Sequence, residues 1–545
     1  MVRCSMSRGV SSFQTDRKPA ERASDSKPSI WVEYTQLAVD CKAVNLGQGF
    51  PDAPAPKFVT DILRNYSDNP SLTAVHQYTR GYGHPKLVKA LGNLYSELYS
   101  RENLDPNNEI LVTVGAYLAL YYTFCGWIQE GDEVIVIEPA YDCYVPQIKM
   151  AGGKPVLISM KKPKDASSSS DFKIDFKELR AAITPRTKML VLNNPNNPIG
   201  KLYSREELEE IASIVKENDL IVVADEVYEW HCFEKPMIRF ASLPDMYERT
   251  ISIGSAGKAF SVTGWKLGWA VGPLHLLEPL KVIHQNCVFT CSSPTQAALA
   301  DAFDIEHAKF KSDPENSYLL KGLSKELKKK RDFLAENLKE AGFNVILPEA
   351  GYFMLADFSK FINTDDQKTD EPRDVFFSKH LCRNMKLATI PPSAFYSDKK
   401  GKMENDTMIR FFAFFQSKLM KRWKRPGKFF IRSLRTVESS PQMKNLRNDV
   451  DGLISVERNF GLRPILHFNY ISRLKKAFEE KFEPKTKGCD ALPEQPNGPV
   501  LTTIFLTVQQ TESPTPQSVF LAFPHSPLFS LSFLSAHHRR FISRP

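Results

Sequence analysis

Lys258 stands in the run Gly254-Ser255-Ala256-Gly257-Lys258-Ala259-Phe260-Ser261, directly after the apolar stretch Thr250-Ile251-Ser252-Ile253. An amine on a turn of small residues, with hydroxyls and bare backbone amides around it, suits attack on an aldehyde beside a phosphate. Upstream, the apolar stretch Ile221–Ala224 delivers Asp225 at its end and then Tyr228. An acid for a ring nitrogen, a phenol for a ring oxygen and an amine for an aldehyde together describe a site for pyridoxal 5'-phosphate. A surface lysine alone is usually only solvated, so the conjunction carries the reading. Asp225 would keep the pyridine nitrogen protonated, so that the ring absorbs the electrons left when the substrate loses its α-proton. Lys258 would hold the cofactor and then, released by the substrate amine, move that proton.

Three further stretches point to the same chemistry. Ile110–Val114 reads as a strand ending in Gly115-Ala116-Tyr117 and a helix. Its first backbone N–H groups and the positive end of the helix dipole favour a phosphate, and Tyr117 can stack on the ring. Ser255 and Lys266 flank the lysine and suit that phosphate. In Asn193-Asn194-Pro195-Asn196-Asn197-Pro198-Ile199-Gly200 the ordinary reading is a turn, since Asn and Pro dominate turns; beside the Lys and Asp motifs, Asn197 reads as a partner of the ring oxygen, with Tyr228. Arg410 interrupts the apolar strand Met408–Phe411. A guanidinium there needs an anion, either a structural carboxylate or a substrate α-carboxylate held by two bonds.

These residues must be positioned by strands and helices that alternate from Trp31 to about Phe415, the pattern of an α/β fold with a mostly parallel sheet. Expected strands are Ile110–Val114, Glu133–Ile137, Val156–Ile158, Met189–Leu192, Leu220–Ala224 and Thr250–Ile253. Ser204-Arg205-Glu206-Glu207 is a capping box opening a crossover helix with Leu208, Ile211, Ala212 and Val215 on one face, and Leu319–Ala341 reads as a further helical stretch. At 545 residues with 42% hydrophobic and 25% charged residues, the chain has the composition of a large globular enzyme. Nine cysteines without a C-x-x-C pair argue against a disulfide framework or zinc site; Cys287 and Cys291 read as packing residues. No metal site, membrane span or nucleic-acid surface is expected. The net charge is +9, but 416–472 holds 12 Lys/Arg against 4 Asp/Glu, which leaves the catalytic body near neutral.

The stretches Val44-Asn45-Leu46-Gly47-Gln48-Gly49-Phe50-Pro51-Asp52, Gln77-Tyr78-Thr79, Gly131-Asp132-Glu133-Val134, Asp142-Cys143-Tyr144, Ala224–Tyr228, Gly254–Lys258 and Thr263-Gly264-Trp265-Lys266-Leu267-Gly268-Trp269 together resemble the fold-type I (class I and II) aminotransferases. The likeness is greatest to the branch acting on kynurenine and glutamine, and it runs from about Ile30 to Phe415. It implies a three-layer α-β-α fold with a smaller α+β domain, a homodimer with shared sites, and amino and 2-oxo acids as substrates. The implied reaction moves the amino group of kynurenine, glutamine or an aromatic or sulfur amino acid to a 2-oxo acid, with β-elimination from cysteine S-conjugates as a side activity. On the matching positions, Lys258, Asp225 and Tyr228 would be catalytic. Gly115, Ala116, Ser255, Lys266 and the neighbouring subunit's Tyr78 would hold the phosphate, and Tyr117 and Asn197 would touch the ring. Gly49, Asn197 and Arg410 would grip the substrate carboxylate. Trp31, Tyr117, Tyr141 and a second subunit's Phe289 would cage its side chain, and Asn197–Pro198 would be cis.

The expected organisation is 1–28 as a disordered segment or transit peptide, 29–60 as the start of the small domain, and 61–335 as the large cofactor-binding domain. The small domain continues over 336–415; 416–472 is an atypical basic insertion, 473–487 the terminal helix and 488–545 a low-complexity tail. The compartment expected is the cytoplasm or the mitochondrion. Ala140 and Thr290 depart from residues common in the family and would reshape side-chain preference. The 416–472 stretch resembles nothing in it and reads as foreign sequence; the alternative expectation is a fold disabled by that insertion.

Overall fold

In the computed structural model, side chains alternate across the central strands and divide the apolar residues into two cores. The structure describes residues 20, 22, 30–49, 54–361, 371–397 and 408–412, all within one compact unit, Met1–Arg447. The expected terminal helix, the tail and the basic insertion lie outside the described residues.

The strands in chain order are β1 (Val44–Asn45), β2 (Ile110–Thr113), β3 (Glu133–Glu138), β4 (Lys154–Ser159), β5 (Thr187–Asn193) and β6 (Ile221–Asp225). They continue as β7 (Thr250–Ser255), β8 (Gly268–Val271), β9 (Asn344–Ile346), β10 (Phe353–Asp357), β11 (Leu387–Ala388) and β12 (Met408–Phe412). Seven form one sheet in the order β2-β8-β7-β6-β5-β3-β4. Pairings from β4 through β7 are parallel, whereas β8 runs antiparallel to both β2 and β7.

The central strands β3, β5 and β6 are buried on both faces and apolar in their interiors, as central parallel strands must be, whereas the edge strand β4 is only partly buried. Val134, Val136, Met189, Val191 and Val223 face one core, which the helices Pro85–Leu98, Ala116–Trp127, Leu274–Cys287 and Ser293–Ser312 cover. Ile135, Ile137, Leu190, Leu192, Val222 and Ala224 face the other, covered by Phe176–Ala181 and Arg205–Glu217. The second helix carries the expected capping box between Ser204 and Glu207 and buries Leu208, Ile211 and Val215. This is the three-layer α-β-α arrangement.

A smaller core joins the antiparallel sheet β12-β10-β9 to the helices Leu323–Glu340 and Arg373–Met385 through Leu334, Leu338, Met354, Phe377, Leu381, Ile409 and Phe411. The helix expected from Leu319 begins at Leu323, after one wide π turn over Tyr318–Gly322. Cys291 is buried as expected, but Cys287 is exposed: it is the last residue of its helix, beyond His284, the last one buried there.

Candidate active site

The parallel strands β5, β6 and β7 end side by side, and their carboxyl ends open into the crevice where α/β sheets commonly bind ligands. Asn193 pairs with Asp225 and Asp225 with Ile253, so the Asn-Pro turn, the acid and the lysine segment emerge from adjacent strands. Asn193 fastens the turn to β6. Its Nδ2 donates to the Asp225 carbonyl at 2.9 Å, and its Oδ1 accepts from the Asn197 backbone at 2.6 Å. The Asn197–Pro198 bond is cis, as are Asn194–Pro195 and Glu138–Pro139.

A cavity of about 370 Å³ lies over these strand ends. Its wall includes Trp31, Gly49, Gly115, Ala116, Tyr117, Tyr141, Asn197, Asp225, Tyr228, Ser255, Lys258, Lys266 and Arg410. Of the residues singled out from sequence, only Tyr78 and Phe289 do not line it. A second cleft of about 320 Å³, walled by Lys162, Lys164, Lys339 and Asp357 among others, holds none of them.

Asp225 is buried, and burial raises its carboxyl to about 6, against the lowering effects of the Tyr144 hydroxyl, the Val227 amide and Lys258. Lys258 sits on the short helix Ala256–Ala259 that follows β7. Its Nζ donates to the Tyr352 hydroxyl at 2.7 Å and to the Gly49 carbonyl at 3.4 Å. Tyr228 is buried beside it, with the amine 5.6 Å from its ring centre.

Strand β8 brings the Gly115 turn to the lysine side of the sheet, pairing with β2 at Thr113–Gly268 and with β7 at Ser255–Gly268. The approach is close enough that a Cβ on Gly268 would lie 2.4 Å from the Ala116 backbone nitrogen. Gly115 caps the helix Ala116–Trp127 at a φ of +77°, a conformation that favours glycine. The Lys266 ammonium reaches this helix mouth, 3.5 Å from where a Gly115 Cβ would stand.

On the opposite wall, Arg410 is 1% exposed and is among the largest fully buried side chains. One Nη donates to the Gly47 carbonyl at 3.2 Å, and the guanidinium lies 3.9 Å from the Phe353 ring centre. Among the described residues its Nε has no hydrogen-bond partner, and burial lowers its pKa to about 10. The buried Asn197 Oδ1 is likewise unpartnered. Trp31 donates its indole N–H to Asp142 at 2.7 Å, and Tyr117 and Tyr141 meet edge to face at 6.4 Å.

Tyr78 and Phe289 pack on each other elsewhere, edge to face at 5.6 Å, and are 83% and 54% exposed. Phe289 has a φ of +68°, uncommon for a large side chain. Sequence reasoning did not single out Tyr352, Phe353 or the Asp142 and Tyr144 carboxylate and phenol contacts. Nothing in local spacing signals them, because the Tyr352, Tyr144 and Asp142 bonds join positions 94, 81 and 111 residues apart.

Residues 42–408 match the family Aminotransferase class I and II. The chain is 46% identical over 401 residues to kynurenine--oxoglutarate transaminase 3 of Mus musculus, covering 72% of this chain and 86% of that protein. It is 43% identical over 389 residues to kynurenine--oxoglutarate transaminase 1 of Homo sapiens, with 70% and 90% covered. Among solved structures, Bna3p of Saccharomyces cerevisiae superposes with a TM-score of 0.70 at 30% identity, covering 76% of this chain and 99% of that one. N-succinyldiaminopimelate aminotransferase of Mycobacterium tuberculosis gives 0.67 at 32%, covering 76% and 100%.

Proposed function

Because the chain belongs to the class I and II aminotransferases, we propose that it moves the amino group of kynurenine or another large amino acid to a 2-oxo acid, using pyridoxal 5'-phosphate held on Lys258. The observation that carries this reading is the convergence of Lys258, the buried acid Asp225 and the incompletely paired guanidinium of Arg410 on one cavity. The family generally depends on pyridoxal 5'-phosphate, and these residues fit it. The glycine-lined helix mouth offers N–H groups to a phosphate. The Asn197 side-chain amide lines the cavity with an N–H to donate to a ring oxygen, and the burial-raised Asp225 gains from a ring cation.

When bound, the cofactor supplies an aldehyde that links to amines and a ring that takes up the electron pair left by the α-proton. Gly115, Ala116, Ser255 and Lys266 would hold its phosphate, Asp225 its ring nitrogen, and Asn197 and Tyr228 its ring oxygen. Arg410, with Asn197 and the Gly49 backbone, orients the substrate carboxylate and so aims Cα toward Lys258, whose amine carries the proton. Trp31, Tyr117 and Tyr141 exclude water and bury an aromatic substrate side chain.

The protein would act as a homodimer. The exposed Tyr78–Phe289 pair supports this reading, since these two residues would complete the site of a second copy. Sedimentation of the full chain at the mass of a single chain would refute it. For the reaction, the purified chain loaded with pyridoxal 5'-phosphate is expected to convert kynurenine and 2-oxoglutarate to kynurenic acid. Borohydride reduction with peptide mapping should place the cofactor on Lys258. A label at another residue, or kynurenine left unconsumed by the unreduced, cofactor-loaded protein, sinks the proposal. Pyruvate release from a cysteine S-conjugate tests the side activity, and a folded chain that takes up no cofactor favours a fold disabled by the 416–472 stretch.

A further inference from the structure

We propose that Tyr352 is a positioning residue that holds the ε-amine of Lys258 while that amine is off the cofactor and moving the substrate proton. The proposal rests on the role given to Lys258 above. Tyr352 directly precedes β10 and is buried. Its hydroxyl accepts from Lys258 Nζ at 2.7 Å and donates to the Gly49 carbonyl at 3.1 Å. The same carbonyl lies 3.4 Å from Nζ, so lysine, phenol and carbonyl close a small ring of polar contacts.

A neutral amine has two N–H donors and one lone pair. The phenol oxygen and the Gly49 carbonyl are placed to take one N–H each, which leaves the lone pair for a proton. The proton would leave substrate Cα for the nitrogen lone pair of Lys258, which forms the new N–H bond, while the bound cofactor would supply the ring that takes up the electron pair left behind. Tyr352 neither gains nor loses a proton over the step. Burial holds its phenol well above the ordinary range, so it stays neutral beside the amine.

The phenol is itself fixed. Its ring meets Tyr228 at 5.3 Å, His231 at 5.4 Å and Phe353 at 4.7 Å, all edge to face. The Tyr228 hydroxyl also interacts with the Tyr352 hydroxyl. Lysine has a flexible four-carbon stem, and a locked acceptor at its tip removes most of that freedom just where proximity governs rate.

Tyr352→Phe in the full chain removes one oxygen and keeps the ring packing. Borohydride labelling of Lys258 comes first; failure in the native chain overturns the functional reading and this one with it. With Lys258 identified in reduced samples of both proteins, cyanate is expected to carbamylate Lys258 about tenfold faster in the unreduced, cofactor-free variant than in the unreduced, cofactor-free native chain, the scale of one hydrogen bond to a charged group. In the loaded variant, kcat for kynurenine falls about tenfold with KM within about twofold, and the isotope effect from α-deuterated kynurenine rises. An unchanged carbamylation rate or isotope effect overturns the proposal. So does a variant that no longer folds, which would show that the phenol's bonds maintain the fold.

Discussion

Asp225 and Glu226 are consecutive, both buried, and both pushed up by the same cause, yet they face different surroundings. Asp225 ends β6, lines the cavity, and is raised to about 6. Glu226 turns away from it, accepts from the Phe240 amide at 3.0 Å, and is raised to about 8 near Arg239, which pairs with Glu229. Glu229 in turn accepts from the Tyr95 hydroxyl, itself an acceptor for the Trp269 indole. Burial perturbs both acids, so perturbation alone does not mark a site. What separates them is an outlet: Asp225 opens on a cavity where a cation can meet it, while Glu226 is sealed among protein groups.

The strongest way to break this contrast is to neutralise each acid in turn. Asp225→Asn is expected to lower kcat/KM by roughly 10³-fold, the scale of removing one partner of a buried charge pair. Steady-state kinetics and absorbance titration of pyridoxal 5'-phosphate would read it. A loss under tenfold would mean that Asp225 is no more engaged than its neighbour.

The next effect is on pH. A folded Asp225 holds its proton to higher pH than the unfolded acid, so in the cofactor-free chain its favourable contribution is full below 3.8 and lost as pH rises to about 6. Cofactor binding has the opposite sign, because a ring cation needs the ionised acid. Affinity for pyridoxal 5'-phosphate is therefore expected to rise about tenfold per pH unit up to about 6 and then level off. Direct titration between pH 5 and 8 checks it, and a flat profile would remove the pairing. The smallest effect on turnover belongs to Glu226→Gln, which should leave kcat/KM within about threefold. Denaturant melts should show that it flattens the native decline in stability between pH 4.5 and 8.

Much of this was legible in the sequence where one residue reports on its own element. The ends of β5, β6 and β7 follow from Asn193, Asp225 and Ser255, each placed after an apolar run. Ser204 and Glu207 announced their helix because a capping box is a local device. The strand β8 escaped notice: Gly268-Trp269-Ala270-Val271 is only four residues long and opens on a glycine, which reads as a turn. Tyr352 escaped for another reason. Its meaning depends on Lys258, 94 residues away, and a buried tyrosine before a strand otherwise reads as packing. Tyr78 and Phe289 came from family likeness alone, and in a single chain their place is the surface.

The position of β8 bears on how the protein is made. The Gly115 turn leaves the ribosome early, and its Lys258 counterpart about 140 residues later. Gly268–Val271 separates β2 from β7 in the sheet and pairs with both. Strands β3 to β7 can assemble by neighbouring parallel crossovers as they are synthesised, but β2 has no partner until β8 arrives. Closing that long loop carries an entropic cost that the late strand repays through two edges at once. A nascent chain halted before Gly268 would thus own the lysine and the acid while still lacking the seat for an anion beside them.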